Sequence, residues 1–573
     1  MEDNGNFVRS LFRRQAVLSI LALLASTVGP IVCVAIAGVL YKSEGLAITA
    51  ICSPLFFLSL FFAYIIAGGA QILSSRFIAR DELESINGVF TAAIILTLIA
   101  DIVVCGLLFV LKTPFLKFAA GEITPELDLF YNYFLLNAFV SMLIGIPLFF
   151  SKIAARPQIG LILTLTMSAG SIVFTLFFTG FMGIEAIALG QAIGGAIAVA
   201  VSALMLAKHF KIVVPKKLYI KKIFTLGSPL GMSRFYIVAS TLVINAILAK
   251  LGGNDALAVF GVILMLNRFV TAFTIGTGQT LLPLISLFHE EQDNTSVKQT
   301  VKTAFLYSNI IMLIITALFC IFGTQIGQLF GLGENVIMFA QAMPFYGIYA
   351  LLLINTTIFS SYYNASKKLL FANIINLLQE FALLCAFAGL LSIPYGIFGV
   401  WAAFPVSGIF TLLIIHVILT RIKLKNKDLS FPLLLNQRLE KQGKYISLSV
   451  EGNVQKACEA AQKIGEFCEE NSLSSEKVML ISLSIEEMIT LIINNNKKKI
   501  SSIAVRLFLL DDIIILRIRN TGVTFDAIKY YNENIADDIE KSLDVIGLKY
   551  ITENASTVFY RQTFGMNSLV VIL

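Results

Sequence analysis

Charge, tryptophan and histidine are what this chain has least of. Asp, Glu, Lys and Arg together supply 14% of its 573 residues, hydrophobic residues supply 57%, and there is one Trp. With a mean hydropathy of +0.84, that balance lies outside the range of soluble globular domains. An integral membrane protein is expected, and nothing in the pattern points to nucleic acid. Charge almost vanishes between about residues 16 and 420, in runs far longer than the roughly ten alternating residues of a barrel strand, so the spans are expected to be helices. Cysteine is sparse and scattered. Cys33, Cys52, Cys105, Cys320 and Cys385 lie in apolar runs, and Cys458 and Cys468 lie in a polar tail without metal-type spacing, which argues against a disulfide framework and against a zinc site. A cleavable signal peptide is not expected either. Arg9, Arg13 and Arg14 precede an apolar run that outlasts a signal core.

What the chain has in abundance is long apolar segments. A helix needs about 20 apolar residues to cross a bilayer. That ruler gives twelve, near 16–40, 46–74, 88–112, 127–151, 158–181, 184–207, 223–250, 256–288, 300–323, 335–363, 369–391 and 395–420. Lys and Arg gather in the loops after even-numbered segments (Arg76, Arg80, Lys152, Arg156, Lys208 to Lys222, Lys298, Lys367, Lys368, Arg421 to Lys427). The other loops hold only Lys42, Lys112, Lys117 and Lys250. The positive-inside rule then predicts a multi-pass protein of the cell membrane with both termini cytoplasmic.

The chain also repeats itself. "GLAITAICSPLF" from Gly45 resembles "ALAVFGVILMLN" from Ala256, and "AARPQIGLILTLTMSAG" from Ala154 is answered by "NASKKLLFANIINLLQEF" from Asn364, at an offset of about 210 residues. Six spans per copy is an even number, so the copies share one orientation and are expected to flank a central cleft. The expected organisation is a first lobe at 1–207, a basic linker at 208–222 suited to anionic lipid headgroups, a second lobe at 223–425, a linker at 426–443 and a cytoplasmic α+β domain at 444–573.

"LGSPLGMSRF" (226–235), "GGNDALAVFGV" (252–262) and "GTGQTLLPLIS" (276–286) resemble the corresponding helix starts and Pro-Leu-Ile-Ser segment of the multidrug and toxic compound extrusion (MATE) family. The resemblance covers all twelve segments. It implies an antiporter that exports organic, typically cationic drug-like substrates through the cleft against inward H⁺ or Na⁺. The family's ion-binding carboxylates are absent, because the first, seventh and tenth spans hold no Asp or Glu (Ser26 to Leu40, Ser233 to Lys250, Phe345 to Tyr363). Other ionisable groups lie at membrane depth, where each costs about 3 kcal/mol or more and normally faces a cavity or partner. They are Asp101 in the third span, Glu380 in the eleventh, Arg268 in the eighth and Arg234 in the seventh. Glu380 and Asp101 are candidates for ion coupling. Glu380 is alternatively expected to pair with Arg268. Asn267, Gln279 and Asn355 are expected to line the cleft or to join helices.

After Lys427 the composition changes. "KYISLSVEG" reads as a strand, Val454 to Asn471 as a helix, "SLSIEEMITLIINNN" (482–496) as a second helix, 502–510 and 513–519 as strands, a segment near 535–553 as a helix, and "NSLVVIL" as a closing strand. The order resembles the ATP-binding (GHKL) domain of histidine kinases and anti-sigma-factor kinases. "LSIEEMITLIINN" stands for its N-box, "RNTGVTFD" and "DVIGLKYI" for its Gly boxes. The resemblance implies ATP or ADP at Glu487, Asn520, Gly522, Phe525 and Gly547. Leu491 stands where the family's Mg²⁺-binding Asn would be, and leucine does not ligate a hard cation. Hydrolysis is therefore not expected. The expected function is a MATE-type transporter with a regulatory or nucleotide-sensing tail that also meets a cytoplasmic regulatory protein. Two alternatives stand beside it: a membrane sensor with a signalling kinase or partner-binding C-terminal domain, and a lipid-linked oligosaccharide flippase, which calls for a more cationic cleft.

Overall fold

The computed structural model describes residues 5–573 apart from 79–82, 155, 216–218, 438–442, 451, 497–502, 511–512, 524–525, 527–528, 530–545 and 564–565. Among the described residues, ten helical stretches are long and apolar enough to cross a membrane. Two exceed one crossing: Gly5–Ser74 has 70 residues and Leu230–His289 has 60. Each breaks at a single residue with non-helical backbone angles, Lys42 (φ 53°, ψ −144°) and Gly253 (φ 57°, ψ −143°). Divided there, the ten stretches become twelve segments, as the sequence predicts. The breaks lie 211 positions apart (253 minus 42), which is the offset of the sequence repeat. Both halves therefore turn at the same place in the same way. Glycine adopts that conformation freely, and lysine adopts it at a steric cost.

In chain order the membrane helices are α1 (Gly5–Ala63, two spans), α2 (Gly69–Ile78), α3 (Leu83–Val110), α4 (Lys112–Ala120), α5 (Pro125–Leu143), α6 (Gly145–Ile153), α7 (Pro157–Phe178), α8 (Glu185–Leu206), α9 (Ile220–Glu290, two spans), α10 (Asn294–Leu329), α11 (Val336–Ala365), α12 (Leu369–Leu377), α13 (Leu383–Tyr395) and α14 (Ile397–Lys425). π-helical turns join α1 to α2 at Tyr64–Gly68 and α12 to α13 at Leu378–Ala382. Local chemistry sets the ends: before α5, Thr124 accepts from the Leu127 N–H at 3.3 Å, Pro125 fills the first helical position, and Glu126 and Asp128 meet the helix dipole. Val103, Leu107 and Val110 on α3 form an exposed apolar stripe at helical spacing, a face suited to lipid rather than water.

The chain forms two compact units. The larger holds Leu18–Gln279 and Phe305–Ile415. Within it the two halves meet at the seventh and second spans, where a Cβ on Gly227 would collide with the carbonyl oxygen of Ile65 and one on Gly69 with that of Ile223. Only glycine permits that approach. Gly38 makes a second such contact with the backbone of Phe330.

The smaller unit gathers the start of the chain through Val17, the segment Thr280–Ala304 and His416–Leu573. Its regular elements after α14 are β1 (Lys444–Val450), α15 (Val454–Glu470), α16 (Ser475–Asn494), β2 (Ile503–Leu510), β3 (Ile513–Asn520), α17 (Ile546–Asn554), β4 (Thr557–Thr563) and β5 (Met566–Ile572). The strands form one antiparallel sheet in the order β1-β2-β3-β5-β4. β4 is an addition to the expected elements, and the helix expected near 535–553 is described only from Ile546. Alternation divides the sheet. Leu448, Val505, Leu507, Leu516, Ile518 and Leu569 point to one face, against Ile464, Ile485, Ile489 and Ile551 of the helices. Arg506, Arg517 and Arg519 occupy the opposite register positions. That second face is covered too, since Arg506 and Arg519 are 3% and 2% exposed.

Candidate functional site

Seven spans of the larger unit enclose a cavity of about 200 Å³. Its walls are largely apolar (Leu23, Phe57, Leu60, Leu148 and Ile275 among them), with a hydroxyl and amide set that includes Ser26, Asn137, Ser141, Gln191 and Thr271. Asn137 donates to the Gln191 carboxamide oxygen at 3.1 Å, which joins α5 to α8 across the wall. Among the described residues, two charged groups line the cavity, Arg234 and Arg268, and no Asp or Glu does. Both lie on α9, one on each side of the Gly253 break. Aromatic faces hold them: the Arg268 guanidinium lies 4.4 Å from the ring centre of Phe56 and 5.7 Å from that of Phe57, and Arg234 lies 5.0 Å from that of Tyr64. The Arg268 Nε has no hydrogen-bond partner among the described residues. Such a donor favours a ligand that brings oxygen acceptors.

Glu380 sits in the π-helical turn between α12 and α13. Its carboxyl takes a hydrogen bond from Ser233 and lies within electrostatic reach of Arg234, while its Oε2 has no partner. The pair expected with Arg268 does not form, because Arg268 is stacked over Phe56 on another wall. Glu380 is instead one neighbour away from the cavity, through Arg234. Single π turns of this kind are frequent at functional sites.

The other membrane candidates scatter. Asp101 is fully buried on α3, with only the Cys105 thiol near one oxygen at 3.8 Å, and it is not among the cavity-lining residues. Asn267 accepts from the Tyr346 hydroxyl at 2.9 Å. Asn355 exchanges two 2.9 Å hydrogen bonds with Asn309 and donates to the Leu351 carbonyl, so it joins α10 to α11. Gln279 is exposed and away from the cavity lining. The aromatic partners of the arginines were not legible in the sequence, since a Phe or Tyr beneath a guanidinium looks like any other Phe or Tyr in an apolar run.

In the tail, two of the expected nucleotide residues, Asn520 and Gly522, bond to each other and to Asn567. The Asn520 carboxamide oxygen accepts from the Gly522 N–H at 2.9 Å and from Asn567 Nδ2 at 3.0 Å, and Asn567 donates again to the carbonyls of Gly522 and Val523. The space beside Asn520, lined by Met488, Ile492, Tyr560 and Asn567, measures about 10 Å³, at the threshold for a single water. Glu487 is outside that lining, on the α16 surface beside Glu486, where partial burial and its neighbour's charge raise its pKa. Leu491 packs against the domain core. Gly547 falls in α17, and Phe525 lies outside the described residues.

Sequence reading missed the most heavily bonded cluster in the smaller unit. The turn between α9 and α10 presents Glu291 and Asp293 to the tail sheet. Arg506 and Arg519 both pair with Asp293, Arg519 (Nη1) at 2.9 Å, and Arg519 also pairs with Glu291. Arg517 donates to the Glu291 carbonyl at 3.2 Å. Asp293 also caps α10, accepting from the Ser296 N–H at 3.0 Å and hydroxyl at 2.7 Å. Burial alone would push its pKa up, but the two guanidinium groups and these hydrogen bonds reverse that and hold it at about 2. Phe288 and Tyr445 flank the cluster, 5.0 Å from Arg519 and 4.8 Å from Arg506. The available signal was "LRIRN": two arginines at alternate positions of an apolar strand share one face.

Comparison with known proteins adds to this geometry. The MatE family model matches residues 229–388. No curated protein matches the chain. Among solved structures, an inward-facing multidrug resistance MATE family transporter of the MOP superfamily superposes with a TM-score of 0.63 at 16% identity, covering 73% of this chain and 99% of that one. A variant of the Vibrio cholerae MATE transporter VcmN gives 0.59 at 17% identity, over 72% and 98%. A MOP superfamily transporter from Pyrococcus furiosus, described as having a binding pocket of reverse polarity, gives 0.59 at 16%, over 73% and 97%. All are transporters rather than enzymes. Roughly a quarter of this chain, about the length of the tail, lies outside these matches. The helical part of the chain has the fold of the MATE transporters.

Proposed function

We propose that the chain is a MATE-type secondary transporter of the cell membrane, with both termini cytoplasmic, whose cavity takes an anionic amphiphile. The observation that carries this reading is the charge of the lining: Arg234 and Arg268 with no carboxylate among the described lining residues. A cationic drug, the substrate class the family resemblance implies, would meet only like charge. Two like charges 4 Å apart repel by about 4 kcal/mol at an effective dielectric constant of 20, a penalty that a few apolar contacts do not offset. An anionic headgroup meets two aromatic-backed guanidinium groups, and the apolar walls suit an acyl or prenyl chain. This is the polarity on which the flippase alternative depends, and the reverse-polarity pocket described for the Pyrococcus furiosus transporter supports the same direction. Coupling to H⁺ or Na⁺ runs through Glu380, which acts on the cavity by way of Arg234.

The test is equilibrium binding to purified full-length protein of a labelled prenyl phosphate and, in parallel, of a quaternary ammonium of equal chain length. The phosphate is expected to bind more tightly, and Arg234→Ala or Arg268→Ala to weaken it about tenfold to a hundredfold, the worth of one charge-assisted hydrogen bond. Tighter binding of the ammonium overturns the reading.

A further inference from the structure

The smaller unit contains the first turns of α1, the end of α9 and the start of α10 together with the tail domain. These helices belong to different halves of the repeat: α1 carries the first two spans, α9 the seventh and eighth, and α10 the ninth. Twelve spans bring the chain back to the side it started from, so all these ends lie on the side where the tail emerges. The tail is bonded to both halves. On the first, Arg14 donates to the Thr521 carbonyl at 3.3 Å. On the second, the buried arginines of β2 and β3 hold Asp293 and Glu291, and Asn294 donates to the Asn436 carbonyl at 2.8 Å.

We propose that the tail domain is an autoinhibitory clamp that keeps the tail-side ends of the two halves together, with Asp293 as its latch. The proposal rests on the two-half transporter reading above. Halves related by a parallel repeat expose a central site to one side by moving apart on that side. A domain bonded to both ends opposes that separation and favours the state in which the tail side is shut. Within the larger unit the two halves touch backbone to backbone at the Gly227–Ile65 and Gly69–Ile223 contacts. The latch is specific because its charges are buried: each guanidinium needs its carboxylate, and removing one partner strands the other away from water.

The experiment uses the full-length protein in membrane vesicles, with its seven native cysteines replaced and a single cysteine introduced by Thr164→Cys on the cavity wall. A membrane-impermeant maleimide is applied from the tail side, and proteolytic release of the tail is followed in parallel. Asp293→Asn is expected to speed labelling roughly tenfold, within the ordinary range of coupling between sites. If that variant does not accumulate as folded protein, Arg519→Lys keeps the charge, loses the forked geometry, and is expected to speed labelling about threefold. Unchanged labelling overturns the clamp. With the tail released, it shows that the tail does not restrain the halves; with the tail still held, it shows that Asp293 is not the latch. Neither result touches the binding test, so the transporter reading stands or falls separately.

Discussion

A buried carboxyl with an unfilled acceptor beside an arginine is a place where a small cation changes the charge balance, and Glu380 is such a place. Glu380→Gln keeps the shape and the Ser233 hydrogen-bond acceptor but cannot take up a proton or a cation's charge. In proteoliposomes that variant is expected to lose coupled transport while still binding the labelled phosphate. Full coupling between pH 6 and 8 would remove Glu380 from the role. Asn355 calls for the opposite outcome. Replacing it with Leu breaks a polar pair worth about 0.6 kcal/mol and takes the donor from the Asn309 carboxamide oxygen, while Asn309 Nδ2 keeps the Phe305 carbonyl at 2.8 Å, so thermal stability falls modestly and transport survives. The sequence placed Glu380 and Arg268 at membrane depth, because charge in an apolar run is visible one residue at a time. It could not assign their neighbours, which depend on how helices rotate about their axes: Arg234 rather than Arg268 meets Glu380, and Gln279 faces outward.

Between elements, the contact of the second and seventh spans limits what the halves can do. A side chain at Gly227 cannot fit against Ile65, so Gly227→Val is expected to push the ends apart and speed tail-side labelling of Thr164→Cys as loss of the latch does. Slower labelling would mean the contact belongs to another state. The latch has a pH signature of its own. The Asp293 pKa is depressed from 3.8 to about 2, so its contribution, of the order of 2 kcal/mol, is complete above about pH 4 and is lost as pH falls through 2. Proteolytic release of the tail should be constant from pH 5 to 8 and rise between pH 4 and 2; a rise between pH 5 and 8 would implicate another group. Span lengths were legible because a bilayer demands about 20 apolar residues. The breaks at Lys42 and Gly253 were marked only by the repeat, since nothing in lysine announces a positive φ. β4 escaped notice because "TVFYRQT" lies at the sheet edge, beside Ser556 and Ala555, without the clean alternation of a half-buried strand.

For the molecule as a whole, the resemblance of the tail to an ATP-binding domain meets a small space beside Asn520 among the described residues. Full-length protein is expected to show no Mg²⁺-dependent ATP hydrolysis, with Leu491 at the ligand position and about 10 Å³ beside Asn520. Robust hydrolysis that is lost in Glu487→Ala would show that the α16 helix is in a different register from the one assigned. The smaller unit also has a consequence for how the protein is made. Its parts are dispersed along the chain: Arg506 and Asp293 are 213 residues apart, and Arg14 and Thr521 are 507 apart. A ribosome adding about 5–20 residues each second completes the first turns of α1 roughly half a minute to two minutes before Thr521, the partner of Arg14, is made. For that interval Arg14 lacks its tail partner, and the lipid surface is the nearest apolar refuge for the Phe7, Val8, Leu11 and Phe12 side chains beside it. Nascent chains halted after α14 should therefore hold their first turns against the bilayer and be degraded faster than the finished protein, which makes completion of the tail a checkpoint in biogenesis as well as a brake on motion.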